Sequence, residues 1–173
     1  MHVIESASLI LEPQTVAHAE EMFAVLSDPA IYEYENEPPP SLEWLRARFA
    51  RLESRQSPDG QEQWLNWVIR LPTSELAGYV QATVRSNGRA AIAYELSSKY
   101  WGRGLASRAV QAMIADLLEH YQVRGLSAVF KRENHRSMRL LERLGFSLAS
   151  PEEQVEPGEL RMYRKIERRR HHV

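Results

Sequence analysis

The sequence predicts one mixed α/β domain of the α+β kind: a central, mostly antiparallel sheet with helices on both faces. Three observations predict it. Apolar runs of strand length crowd the middle of the chain at 64–71, 76–84 and 90–96, and Asn87-Gly88 between the last two marks a tight hairpin. Stretches with apolar residues at helical spacing flank that group, at 16–26 and 42–52 before it and 105–121 after it. Beyond them, short apolar runs at 126–130, 146–148 and 160–166 enclose one more helical stretch.

Each element has a local reason. The apolar run 8–11, stopped by Pro13, reads as a first strand. Val16, Ala19, Met22, Phe23 and Leu26 then share one helical face, with Thr15 as cap and Asp28-Pro29 as stop. Residues 31–40, rich in Tyr, Glu and Pro, read as a loop or mobile cover beside a pocket. Ser41 caps a second helix whose stripe is Leu42, Leu45, Phe49 and Leu52. The hairpin at Asn87-Gly88 follows because both residues tolerate positive φ. The longest helix buries Ala106, Val110, Met113, Leu117 and Tyr121 on one face. The shorter one, through Met138, Leu141 and Leu144, ends at Gly145, which suits a left-handed C-terminal position. The closing strand pair is separated by the polar segment 151–158.

The domain is assigned to residues 1–166 and a basic tail to 167–173, where Arg168, Arg169 and Arg170 precede His171 and His172. That tail reads as a solvated end rather than a nucleic-acid contact, since no aromatic residues interleave it. A chain of 173 residues with 43% hydrophobic content supports one substantial core. The absence of cysteine excludes disulfides, thiolate metal sites and cysteine nucleophiles. No histidine has zinc-site spacing, so no metal is expected. The first residues lack a basic, then apolar, leader pattern, and no run approaches 18 apolar residues; a cytoplasmic protein, not a membrane one, is the expectation.

The most informative segment is Lys99-Tyr100-Trp101-Gly102-Arg103-Gly104-Leu105-Ala106, between a strand and the longest helix. Gly102 and Gly104 allow a sharp turn, after which amides from Arg103 to Ala106 can converge at the positive helix end. Arg103 adds a cation and Ser107 a hydroxyl, an arrangement suited to phosphate oxygens. A plain tight turn is the competing reading. Neither a P-loop nor a dinucleotide fingerprint is present. Glu95, a carboxylate among apolar strand residues just before this loop, is a candidate general base, because burial favours the proton-accepting range. A solvated strand-end Glu or a contact to a substrate ammonium competes with that role.

The glycine loop resembles the Arg/Gln-x-x-Gly-x-Gly/Ala signature of the Gcn5-related N-acetyltransferase (GNAT) superfamily, with Lys99 at the usual Arg or Gln. Downstream, Asn134-His135-Arg136-Ser137 and the terminal Gly145-Phe146 resemble the branch holding Rim-type ribosomal-protein N-terminal acetyltransferases. The resemblance implies acetyl-CoA as co-substrate and an amine acceptor. The loop amides and side chains of Arg103, Gly104, Leu105, Ala106 and Ser107 would hold the pyrophosphate, and Asn134 and Ser137 the pantetheine arm and sulfur; helix capping, which Asn134 suits, is the competing reading for that pair. It implies catalytic roles for Glu95 as base and Ser137 on the cofactor side, and a backbone donor to the thioester oxygen within 96–98, with Leu96 first. Leu141 stands where many of these enzymes carry a tyrosine acid. Tyr32 and Tyr34, and less so Trp44, Trp64 and Trp67, are the candidate acceptor-binding aromatics, with core packing the competing reading for each; Glu33, Glu35 and Glu37 either draw a cationic amine or form a solvated run. The acceptor is a protein N-terminus or a small amine; a CoA-binding regulator without turnover is the rival class. A homodimer remains open.

Overall fold

The computed structural model describes residues 1–34 and 36–167; Glu35 and most of the expected basic tail, 168–173, lie outside the described residues. A sheet of eight strands runs through the domain in the order β1-β2-β3-β4-β5-β6-β8-β7. The strands are β1 (Ile4–Ser6), β2 (Leu9–Pro13), β3 (Glu62–Arg70), β4 (Leu76–Arg85), β5 (Arg89–Leu96), β6 (Gly125–Lys131), β7 (Ser147–Leu148) and β8 (Glu159–Lys165). The helices are α1 (Ala19–Leu26), α2 (Leu42–Leu52), α3 (Leu105–His120) and α4 (His135–Arg143). Every strand contact is antiparallel except β5–β6. Among the described residues no helix is long and apolar enough to cross a membrane.

Two apolar clusters fill the two faces. Leu45 and Phe49 of α2 pack with Met22 of α1 and Val68 of β3 on one side. On the other, Val110, Met113 and Leu117 of α3 and Leu141 of α4 pack on Trp67, Leu126 and Met162. Each such side chain withdrawn from water contributes about 1.5–3 kcal/mol. Asp116, in the buried stripe of α3, is 6% exposed and breaks the apolar pattern.

Local chemistry explains most element ends. Ser41 Oγ accepts from Trp44 N at 3.1 Å and starts α2. Gly145 takes φ +86°, and Phe146 N donates to Leu141 O at 2.9 Å, closing α4 with a Schellman-type turn.

The structure departs from expectation at four places. The strand expected at 8–11 is the second one; β1 precedes it and forms a hairpin with it. Three residues, Ile4–Ser6, are too few to carry a period-2 signal. The helix expected from Val16 opens as a 3-10 turn at Val16–His18, where Thr15 N donates to His18 Nδ1 at 3.0 Å. The loop expected at 31–40 begins inside a 3-10 turn, Pro29–Tyr32. The β4–β5 hairpin has positive φ at Gly88 only. Asn87 instead accepts from Arg89 N through Oδ1 at 2.9 Å, which stabilises a three-residue turn.

Candidate functional site

β5 and β6 pair only over Arg89–Gly125, Ala90–Leu126 and Ala91–Ser127, then part. The gap opens a cleft of about 590 Å³, walled by the end of β5, the glycine turn, the first turn of α3 and one face of α4. Glu95, Leu96, Arg103, Gly104, Leu105, Ala106, Ser107, Asn134, Ser137 and Tyr34 all line it.

The turn is built for convergence. Gly102 and Gly104 take φ +77° and +73°, and Gly104 is the N-cap of α3 without any side-chain cap. The amides of Leu105, Ala106 and Ser107 therefore have no intrahelical acceptor at the positive end of a 16-residue helix. A Cβ on Gly104 would meet nothing within 4 Å, so its backbone conformation, not crowding by protein, requires glycine there. Arg108 braces the turn from behind: Nη2 donates to Arg103 O at 2.9 Å, Nε to Gly104 O at 3.3 Å, and Nη1 bonds Ser8 Oγ.

Charge in the cleft is one-sided. Among the described residues, Arg103, Arg108, Arg136, Arg139 and Arg143 line it, against the single carboxylate of Glu95. Arg136 lies 3.4 Å over the Trp101 ring, and Trp101 Nε1 donates to Leu96 O at 2.9 Å. This links α4, the turn and β5 across one opening. Such a cleft suits an elongated, multiply phosphorylated ligand. Only Arg103 of these cations was singled out from the sequence. The spacing of Arg136, Arg139 and Arg143 along one face of α4 was the available signal for three of the others.

At the strand end the hydrogen-bond ladder narrows the choice of a backbone donor. Ser97 N donates to Ala77 O at 2.8 Å, and Ser98 N to Asp28 Oδ2 at 2.7 Å, so both are committed. Antiparallel pairs alternate, so Leu96, opposite Gly78, turns its N–H away from β4 and towards the gap. Asp28 Oδ2 also accepts from Ser98 Oγ at 2.6 Å, and Oδ1 from Ala30 N at 3.0 Å. The Ser98 hydroxyl bond, ahead of opposing desolvation, holds the Asp28 carboxyl below its ordinary range. Asn134 Oδ1 accepts from Ser137 N at 3.2 Å and caps α4, leaving its amide N–H groups for the cleft. Leu141 is fully buried in the core.

A second cavity, of about 350 Å³, lies on the α1–α2 side. Tyr32, Trp44, Trp67, Tyr79 and Glu37 line it, so Tyr32 and Tyr34 occupy different cavities, and Trp64 belongs to neither. Tyr32 Oη donates to Leu26 O at 2.5 Å, and burial, then the charges of Glu95 and Asp28, push its hydroxyl up to about 12. Glu33 is exposed, and its carboxylate beside Tyr34 raises that hydroxyl. Glu95, half-buried, sits between the two spaces: it lines the first, faces Tyr79 of the second across the β4–β5 pair, and its charge reaches Tyr32.

Comparison with known proteins agrees with the fold. An uncharacterised N-acetyltransferase of Bacillus licheniformis is 27% identical over 148 residues, covering 84% of this chain and 83% of that protein. The solved RimL ribosomal L7/L12 alpha-N-protein acetyltransferase, in complex with coenzyme A, has the same fold with a TM-score of 0.80 at 19% identity, over 95% of this chain and 98% of that one. The microcin C7 self-immunity acetyltransferase MccE, solved with acetyl-CoA and AMP, has a TM-score of 0.79 at 15% identity, over 93% and 94% of the two chains. The model of the acetyltransferase (GNAT) domain family matches residues 8–147, a span that contains the strands, the glycine turn and the α4 face that wall the cleft, and the chain belongs to that family.

Proposed function

We propose that this GNAT-family acetyltransferase carries an acetyl group from acetyl-CoA to a primary amine by direct attack within a ternary complex. The observation that supports it most is the position of Glu95 between a cation-lined cleft and a second, aromatic-lined cavity. In this reading the amides of Leu105, Ala106 and Ser107, with Arg103, hold the pyrophosphate. Asn134 and Ser137 hold the pantetheine arm and sulfur. Acetyl-CoA supplies the activated acyl group.

Glu95 takes a proton from the acceptor ammonium, directly or through water, leaving a neutral nitrogen that bonds to the thioester carbon. The Leu96 N–H donates to the carbonyl oxygen as its charge develops. The carbon–sulfur bond breaks, and the second proton that the nitrogen loses as it becomes an amide passes through the Ser137 hydroxyl or water to the departing thiolate. Tyr32, whose hydroxyl is already donating to Leu26 O, orients the acceptor wall rather than supplying protons. Tyr34 contacts the cofactor side.

The first acceptor class is a protein or peptide N-terminal amine, by likeness to the RimL enzyme; a small amine is the second, because core Leu141 replaces the tyrosine acid common in protein N-terminal acetyltransferases. Acetyl-CoA turnover against peptides with free N-termini and a panel of small amines, read by product mass, tests both. Tight acetyl-CoA binding with no acetylated product from any amine overturns the transferase reading in favour of a CoA-responsive regulator.

A further inference from the structure

We propose that His2, Asp116 and His120 form a binding site for a divalent transition-metal ion of the zinc type, at the end of α3 remote from the glycine turn. The positions carry no zinc spacing along the chain; only the fold joins them. His2 Nε2 lies 2.8 Å and His120 Nε2 3.7 Å from Asp116 Oδ1. The ligand atoms of all three residues lie within 4.8 Å of one another. Around a tetrahedral ion with bonds of about 2.0–2.2 Å, ligand atoms stand roughly 3.3 Å apart. The observed separations straddle that value, and the half-exposed imidazoles can make the small adjustment.

A second, independent observation points to a ligand. Asp116 is 6% exposed, on the stripe that α3 buries with Met113 and Leu117. Among the described residues, its Oδ2 is buried with no hydrogen-bond partner. A carboxylate in such surroundings costs more than an apolar residue unless its charge is matched. The two imidazoles approach only Oδ1; a divalent cation matches the charge of the whole carboxylate.

The imidazoles are also held in place. The His2 carbonyl accepts from Trp67 Nε1 at 3.3 Å, in a tryptophan that is itself fully buried, and β1 begins two residues later. The two rings meet edge-on, with centroids 4.9 Å apart at 83°. His120 sits on the last turn of α3, with Glu119 Oε2 3.8 Å from its Nε2 as the nearby exposed competitor. Two imidazoles and one carboxylate select zinc and its neighbours over magnesium or calcium, with water completing the shell. An ion there cross-links the N-terminal strand to α3, the helix whose other end carries the glycine turn. It takes no part in acetyl transfer.

The test is zinc titration of the full chain by calorimetry, with thermal unfolding alongside. His171 and His172 offer a competing pair, so the measurement is repeated in H171A/H172A. The expected result is one zinc ion per chain in both backgrounds, an affinity weakened roughly 100-fold in H2Q or H120Q, and a rise in Tm on the order of 5 °C at a hundredfold excess over Kd. No binding, binding unchanged in H2Q and H120Q, or binding lost only with H171A/H172A overturns it.

Discussion

Replacing Gly78 with alanine should damage turnover through the backbone of its neighbour strand. Gly78 of β4 stands opposite Leu96 of β5. A Cβ built there lies 2.9 Å from Leu96 Cα and 3.0 Å from Glu95 C, and overlaps Glu95 O more deeply still. These are backbone atoms of a paired strand and cannot rotate away. Ordinary contact begins near 3.4 Å, so relieving the overlap with Glu95 O requires the end of β5 to retreat by more than about 1 Å. Overpacking of this kind costs about 1–3 kcal/mol, or a Tm lowered by roughly 3–10 °C in a domain of this size. The same displacement carries Glu95 and the Leu96 N–H, the proposed base and oxyanion donor. Misplacement on the order of 1 Å costs about 100-fold in rate, so a fall in kcat of roughly 10- to 100-fold is expected. Acetyl-CoA affinity should change less, because the glycine turn and α3 lie beyond the displaced residues. Turnover is followed by acetylated product mass at a temperature where circular dichroism shows the variant folded. A lowered Tm with the parental kcat would refute the idea that this close approach positions the reacting groups.

Three further outcomes follow from the site. Glu95→Gln should lower kcat on the order of 100-fold near neutral pH, with partial recovery at high pH where the acceptor is already neutral, measured as a rate–pH profile with acetyl-CoA affinity unchanged. Gly104→Ala should weaken acetyl-CoA binding about 10-fold by calorimetry, since φ +73° strains any other residue and shifts the α3 amides. Asp28→Asn should cost about 1–2 kcal/mol in urea unfolding at pH 7 by weakening the Ser98 contacts. With its folded pKa held below 3.8, Asp28 contributes its full stability above that value and loses it as pH falls through the folded pKa, so parent and variant should converge in acid.

Legibility followed the range of the interactions. Ser41, Asn134 and Gly145 sit at helix ends whose chemistry is local, and each does there what its residue type prescribes. The glycine turn was readable for the same reason: two glycines between a strand and an amphipathic helix leave few conformations. β1 was missed because three residues carry no period. Gly78 passed unnoticed because its role depends on a backbone in another strand. Tyr32 and Tyr34 are two positions apart in one loop, yet line different cavities, and only the packing of the 3-10 turn at Pro29–Tyr32 separates them. Asp116 fits a helical stripe by spacing and offends it by type; the sequence offers no hint that His2 will meet it.

The gap between β5 and β6 is a consequence of connectivity as much as of side chains. β5 is satisfied on one edge by β4 along its length. Its other edge can pair with β6 only in parallel, because a 16-residue helix joins them by a crossover. α3 must start where β5 ends, and its uncapped N-terminus occupies the place where continued pairing would close. The ladder with β6 ends at the Ala91–Ser127 pair, and a backbone polar group sealed in beyond it with no partner would cost about 1–3 kcal/mol. An open cleft removes that cost by admitting water or a ligand with polar groups of its own. The Leu96 N–H and the α3 amides are thus unpaired for one shared reason: the sheet stops pairing where the helix begins. Sealing the gap by extending the β5–β6 ladder would strengthen the sheet and, in the same step, remove the donors on which the proposed transfer depends.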